Sequence, residues 1–230
     1  MKEPVKAVIF DLDHTLVRSG IDFPEMKIKI VDYLEKRLPS LEGFDGNRPT
    51  YEMTQAVVEN LQSRRLSNII PEVTEDINRI MNATEMKYVS KATLIEGAVE
   101  TLKRLRSVGM KIGILTRACR QYTEKVLAAT GLLEFVDEVA TRDDSANPKP
   151  DPSQIYWLIE RMKVSSHEVV MVGDHPVDAL CARNAGIAFV GVLTGSWREE
   201  QTKQLGSTVI RSVKELPDLL GIRGQREKSL

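Results

Sequence analysis

Cysteine is scarce in this chain: Cys119 and Cys181 are its only two, far apart in sequence and outside any Cys-x-x-Cys pattern. A disulfide framework and a thiolate metal site are therefore not expected, and both read as reduced thiols of a cytoplasmic protein. Aromatic residues make up only 5% of the sequence, which weakens any surface built on base stacking. Charge of one sign is lacking too, since 32 Lys and Arg meet 33 Asp and Glu for a net charge of −1. That balance makes no global electrostatic case for nucleic acid or an anionic membrane. Long hydrophobic runs are missing, and none approaches the roughly 20 residues that span a bilayer. The opening Met1-Lys2-Glu3-Pro4 leads directly into an apolar segment and leaves no room for a signal peptide. What is present, 42% hydrophobic and 28% charged residues over 230 positions, describes a soluble globular protein. Its length suits one large core, or a core with a smaller partner domain.

The stretch that organises the rest is Val5-Lys6-Ala7-Val8-Ile9-Phe10-Asp11-Leu12-Asp13-His14-Thr15-Leu16. It opens as an apolar, β-branched run, the composition of a strand buried on both faces of a sheet. It ends in two carboxylates. Side chains at i and i+2 of extended backbone point the same way, so Asp11 and Asp13 can share one small volume. That volume lies at the carboxyl end of a strand, where open α/β sheets bind ligands. Two carboxylates so close resist joint ionisation. A hard cation such as Mg²⁺ relieves the repulsion, and it prefers one or two carboxylates together with phosphate oxygens. The pair equally suits a solvated turn after a strand.

From Arg18 to about Lys91 the pattern is helical, with no convincing strand. Glu25 to Leu38 carries Met26, Ile30, Val31 and Leu34 at helical spacing and stops at Pro39. A breaker-rich loop is expected from Gly43 to Pro49. Thr50 is placed to cap a second helix through Met53, Val57, Val58 and Leu61. Pro71 suits the first turn of a third helix, containing Val73, Ile77, Ile80 and Met81. Afterwards short apolar strands alternate with helices. Strands are expected at Met110 to Leu115, Phe135 to Ala140, Val169 to Val172, Ile187 to Leu193 and Thr208 to Ile210. Helices are expected at Glu96 to Val108, Tyr122 to Thr130, Ser153 to Met162 and Val177 to Asn184. This alternation predicts an α/β fold, a doubly wound parallel sheet with right-handed crossovers. The polar tail from Gly221 is expected to be loosely held.

Three later strand ends carry polar groups suited to an anion. Thr116-Arg117 follows a strand, where a hydroxyl and nearby backbone N–H groups form a cradle, although turns use threonine widely. In Asn147-Pro148-Lys149-Pro150-Asp151-Pro152 the flanking prolines restrict the backbone around Lys149. Its ammonium is then presented from a stiff loop, or is simply solvated. In Gly173-Asp174-His175-Pro176-Val177-Asp178, the glycine permits a tight turn and delivers two acids. If Asp178 lies in the first helical turn, both acids can face the strand end, where the helix dipole favours negative charge. Asp174 serving only as a helix cap is the simpler alternative.

These pieces, in order, resemble the signatures of the haloacid dehalogenase superfamily of phosphatases: Asp11-x-Asp13, Thr116, Lys149 and Gly173-Asp174-x-x-x-Asp178. The resemblance implies a Rossmann-like core at 1–17 and 92–222, a helical cap inserted after the first strand at 18–91, and a loose tail at 223–230. Within it, the chain resembles the helical-cap branch that includes phosphoglycolate phosphatase-like enzymes and β-phosphoglucomutases. The implied reaction is hydrolysis of a small phosphorylated substrate, with Asp11 attacking phosphorus and Asp13 as general acid, then general base. The resemblance implies Mg²⁺ on the Asp11 carboxylate, the Asp13 backbone carbonyl and Asp174. Asp178 would hold the metal's water ligands or orient Lys149, and Thr116 with the Arg117 backbone would bind phosphoryl oxygens. Lys149 and Mg²⁺ would offset an anion–anion repulsion of ~4 kcal/mol for unit charges at ~4 Å and an effective dielectric of 20. Dehalogenases proper lack an acid at the Asp13 position, so Asp13 argues for phosphate esters.

The rival readings are a sugar phosphomutase of the same branch and a catalytically silent binding or regulatory member, which would be expected to lose Asp11 or Lys149. A nucleic-acid 3′-end phosphatase is disfavoured by the charge balance, although Arg64-Arg65 could form a small basic patch. Arg18, Arg48 and Arg64 are candidates for a second anionic group of the substrate. For His175 a contact behind the site, or exposure, is favoured over metal ligation. Either a monomer or a homodimer is compatible with the sequence.

Overall fold

The computed structural model describes residues 4–39, 49–145, 147–195 and 208–222. The chain divides into two compact units, residues 20–90 and the remainder. The second unit is built on six parallel strands: β1 (Ala7–Phe10), β4 (Lys111–Leu115), β5 (Glu138–Ala140), β6 (Val169–Gly173), β7 (Ala188–Val192) and β8 (Thr208–Ile210). Their order is β5-β4-β1-β6-β7-β8. The chain winds outward from β1 on one side, then returns to wind outward from β6 on the other. Strand order therefore reverses beside β1 and β6, the place where ligands bind in open α/β sheets. Phe10 registers with both Ile114 and Val172, which brings the carboxyl ends of β1, β4 and β6 level.

The physical reason for this sheet is burial. Ala7, Val8, Ile9 and Phe10 are fully buried, as is every residue of β6, so both faces must be apolar. On one face, Ile155, Leu158 and Met162 of α6 (Ser153–Met162) and Cys181 and Ala182 of α7 (Pro176–Ala185) pack with Ile9 and Met171. Each large aliphatic side chain so buried contributes about 1.5–3 kcal/mol. Helix α4 (Ala98–Ser107) packs against β4 and buries Leu102 and Leu105. Helix α7 ends at Gly186, whose φ of 70° is the left-handed cap conformation that glycine adopts without strain.

The other unit is helical. Helices α1 (Phe23–Arg37), α2 (Thr50–Ser63) and α3 (Ile70–Lys87) bury Met26, Ile30 and Leu34, then Met53, Val57 and Leu61, then Val73, Ile77 and Met81. Each set repeats at three or four residues, the apolar stripe expected of a packed helix. The Tyr33 hydroxyl donates to Asp76 at 2.7 Å and ties α1 to α3. Among the described residues, no helix is long and apolar enough to cross a membrane.

Two expectations need correction. Thr50 is the first residue of α2 rather than its cap; Pro49 holds the cap position and no side chain caps this helix. Val17–Arg18 forms β2, paired antiparallel with β3 (Thr93–Leu94), so a short ribbon stands at the edge of the stretch from Arg18 to about Lys91 where no strand was expected. Two residues per strand are too few to leave a period in the sequence. The expected loop at 43–49 lies almost wholly outside the described residues, as does the tail from 223.

Candidate active site

Four charged groups far apart in sequence converge at the switch point. Asp11 directly follows β1, and its N–H donates to the Val172 carbonyl of β6 at 2.8 Å. Lys149 reaches in from the loop before α6, and its Nζ donates to Asp11 Oδ1 at 2.6 Å, Asp178 Oδ1 at 2.7 Å and the Leu115 carbonyl at 2.9 Å. All three ammonium hydrogens are thus used, and with 2% of its surface exposed Lys149 is a buried cation, not a solvated loop lysine. Carboxylate oxygens of Asp11, Asp174 and Asp178 lie within 4.8 Å of one another.

Helix α7 explains why two acids four residues apart can both serve here. His175 begins the helix: its Nδ1 accepts from the Val177 N–H at 3.1 Å, and its own N–H donates to Asp178 Oδ2 at 3.1 Å. The cap role open to Asp174 is therefore taken by His175. Asp174 turns instead to the site, where the Thr15 hydroxyl donates to its Oδ1 at 3.3 Å. Gly173 has a different reason from the tight turn expected of it. Its φ lies outside the left-handed region, but a Cβ there would lie 2.6 Å from Cβ and Cγ of Asp178. Only a residue without a side chain lets Asp178 come this close.

The electrostatics follow from counting. Three buried carboxyl groups face one ammonium, so with all three ionised two negative charges are in excess. Burial pushes the Asp11 carboxyl up from 3.8 to about 7; Lys149 opposes the rise, while Asp178 and Asp174 add to it. Burial works against the Lys149 charge, yet Asp11 and Asp178 outweigh it and hold the ammonium above the usual lysine range. An all-oxygen cluster with this excess has the donor chemistry of a hard divalent cation, and these three aspartates could hold one.

The remaining sequence candidates divide. Asp13 is half-buried and accepts from the hydroxyl of Tyr122 at 3.2 Å. Thr116 follows Leu115, is buried, and accepts the Ala118 N–H on its Oγ1 at 3.0 Å, which leaves the hydroxyl hydrogen to be donated. The Arg117 carbonyl accepts from Arg142 Nη1 at 2.6 Å. Arg18 lies exposed on β2, and no hydrogen bond or ion pair ties it to the aspartates among the described residues. Arg64 is exposed at the end of α2, and Arg48 lies outside the described residues.

Sequence reasoning missed the groups that hold these side chains in place. Thr15 and Tyr122 are ordinary residue types in a strand-end loop and a helix, with no spacing to mark them. His14 is unusual in a way only the backbone reveals. Its φ of 61° is left-handed, which costs a non-glycine residue roughly 1 kcal/mol. Burial, with Arg18 adding to it, lowers the pKa of its imidazole.

Comparison with known proteins identifies the family to which this fold belongs. The family model for haloacid dehalogenase-like hydrolases matches residues 8–192. The chain is 27% identical over 222 residues to pyrophosphatase PpaX of Halalkalibacterium halodurans, covering 96% of this chain and 99% of that protein. It is 30% identical over 191 residues to phosphoglycolate phosphatase of Nitrosospira multiformis, covering 80% of this chain and 81% of that protein. A hydrolase from Pseudomonas syringae shares the fold, with a TM-score of 0.73 at 23% identity over 95% of this chain and all of that one. The chain belongs to the haloacid dehalogenase-like hydrolase family, and it is an enzyme of the hydrolase class.

Proposed function

We propose that the chain is a Mg²⁺-dependent phosphatase that hydrolyses a small phosphate monoester through an aspartyl-phosphate on Asp11. The observation that carries this reading is the buried Lys149 ammonium bridging Asp11 and Asp178 beside Asp174. An anionic nucleophile meets an anionic substrate here, so charge stabilisation and positioning must supply most of the catalysis. A carboxylate of Asp11 attacks phosphorus while the ester P–O bond breaks. Asp13, protonated, gives its proton to the departing alkoxide. Asp13 then takes a proton from water as that water attacks phosphorus, and the P–O bond to Asp11 breaks to release phosphate. Thr116 donates its hydroxyl hydrogen to a phosphoryl oxygen, joined by the Arg117 backbone. Lys149 holds one oxygen of Asp11 and so orients the nucleophile. Asp11, the Asp13 carbonyl and Asp174 would hold Mg²⁺, which when bound supplies positive charge to offset that of the phosphoryl oxygens. Asp178 fixes Lys149 from the far side.

Residues 18–91 are assigned to the family's helical cap, and its side chains, Arg18 among them, to substrate choice. A monoester of the phosphoglycolate kind is favoured by the likeness to phosphoglycolate phosphatases. Pyrophosphate is the second reading, favoured by the match to a pyrophosphatase along nearly its whole length. Neither cysteine is in a disulfide, which supports a cytoplasmic location. The test is turnover of p-nitrophenyl phosphate, phosphoglycolate and pyrophosphate by wild type and Asp11→Asn in Mg²⁺. Asp11→Asn should abolish turnover of every substrate while its circular dichroism matches wild type; retained activity would refute the nucleophile.

A further inference from the structure

Two of the clustered aspartates have a glycine pressed against the carboxylate. Gly173 serves Asp178 in this way. The second glycine lies beyond the motifs, in the loop after β7. A Cβ on Gly195 would stand 1.8 Å from Asp174 Oδ2 and 2.4 Å from its Cγ. The φ of Gly195 lies outside the left-handed region, so its backbone alone would accept alanine. Asp174 is the obstacle. One residue earlier, the Thr194 hydroxyl donates to the His14 carbonyl at 2.5 Å. His14 is the left-handed residue of the loop from Asp13 to Val17, and its N–H donates to the Val17 carbonyl at 2.5 Å. The next residue, Thr15, supplies the hydroxyl that reaches Asp174 Oδ1. The two oxygens of Asp174 are thus held from two loops, Oδ1 by Thr15 and Oδ2 against Gly195, and Thr194 joins those loops.

We infer that Thr194 and Gly195 are positioning residues that set the Asp174 carboxylate for cation binding. The inference rests on the reading of Asp174 as a Mg²⁺ ligand. Magnesium demands near-ideal octahedral geometry, so a carboxylate displaced by a methyl group is a poorer ligand even when chain and charge are unchanged. Groups that orient metal ligands typically change metal affinity by ~10–100-fold when altered.

The test is a Mg²⁺ titration followed by melting temperature, which reads binding without turnover. For Gly195→Ala the Mg²⁺ concentration giving half-maximal stabilisation, read against that variant's own melting temperature in EDTA, should rise by ~10-fold or more. Thr194→Val should raise that concentration by about 2–10-fold, the worth of one hydrogen bond, and Thr194→Ser, which keeps the hydroxyl, should restore it. Wild-type protein that ignores Mg²⁺ would sink the metal reading and the loop assignment together. A responsive wild type matched by an equally responsive Gly195→Ala would overturn the loop assignment alone. If Gly195→Ala does not fold, the threonine pair decides: Val and Ser titrating alike overturns the assignment.

Discussion

The two ends of the central sheet use the same residue types for opposite purposes. At the amino end, Lys6 pairs with Glu168, and Lys111 and Arg106 pair with Asp137. These cations keep 60%, 48% and 40% of their side chains exposed. Such pairs contribute about 0–1 kcal/mol each and weaken with salt. At the carboxyl end, Lys149 and Asp178 keep 2% and 1%. There the groups cannot exchange partners with water, and one base is set against three acids. The difference teaches that burial and imbalance, rather than the presence of an ion pair, set apart the end proposed as the active site. A buried pair matched one to one would be a structural element, whereas this cluster is left with charge to neutralise.

The contrast can be broken most forcefully at its centre. Lys149→Met should lower kcat/KM by ~10²–10³-fold or more, as the loss of a preorganised donor does. It should also lower unfolding free energy by about 3–5 kcal/mol, the usual cost of removing one partner from a buried pair. Urea denaturation and steady-state kinetics would measure both; a change under tenfold with unaltered stability would put Lys149 on a par with the amino-end lysines.

A smaller effect concerns pH. Asp11 moves from 3.8 in the free residue to about 7 in the fold, so between those values the native state binds the proton more tightly than the unfolded chain. Its contribution to metal-free stability is therefore full below pH ~4 and is lost as pH rises through about 7. Metal-free protein should lose melting temperature from pH 5 to pH 8, and Mg²⁺ should restore more at pH 8 than at pH 5. A flat profile in EDTA would mean the cluster is not charge-frustrated.

The smallest effect sharpens the other end. Lys111→Ala should change unfolding free energy by less than about 1 kcal/mol and leave turnover as in wild type. Salt should shrink even that difference.

How much was legible beforehand depends on the range of the interaction. The run Ala7-Val8-Ile9-Phe10 announces a strand buried on both faces, because its pattern is local and repeated. The buried stripes of α1, α2 and α3 are legible for the same reason. The ribbon at Val17–Arg18 was not, since two residues carry no period. Asp11, Lys149, Asp174 and Asp178 could be picked out by order and spacing, but Lys149 read equally well as a solvated loop residue until the fold excluded water from it. His175 gave no sign that it, rather than Asp174, begins a helix, because a cap is chosen by backbone direction.

By itself the sequence determined which groups were available: a strand-forming run ending in acids, a lysine between prolines, and a Gly-Asp segment with a second acid four residues on. The tertiary structure alone decided their burial, their company and their support. Thr15 and Gly195 are 180 positions apart along the chain, and no local pattern could say that they face opposite oxygens of one carboxylate. Burial and contact across such separations arise only when strands align side by side, and the Asp11 pKa and the placement of Asp174 both follow from that alignment.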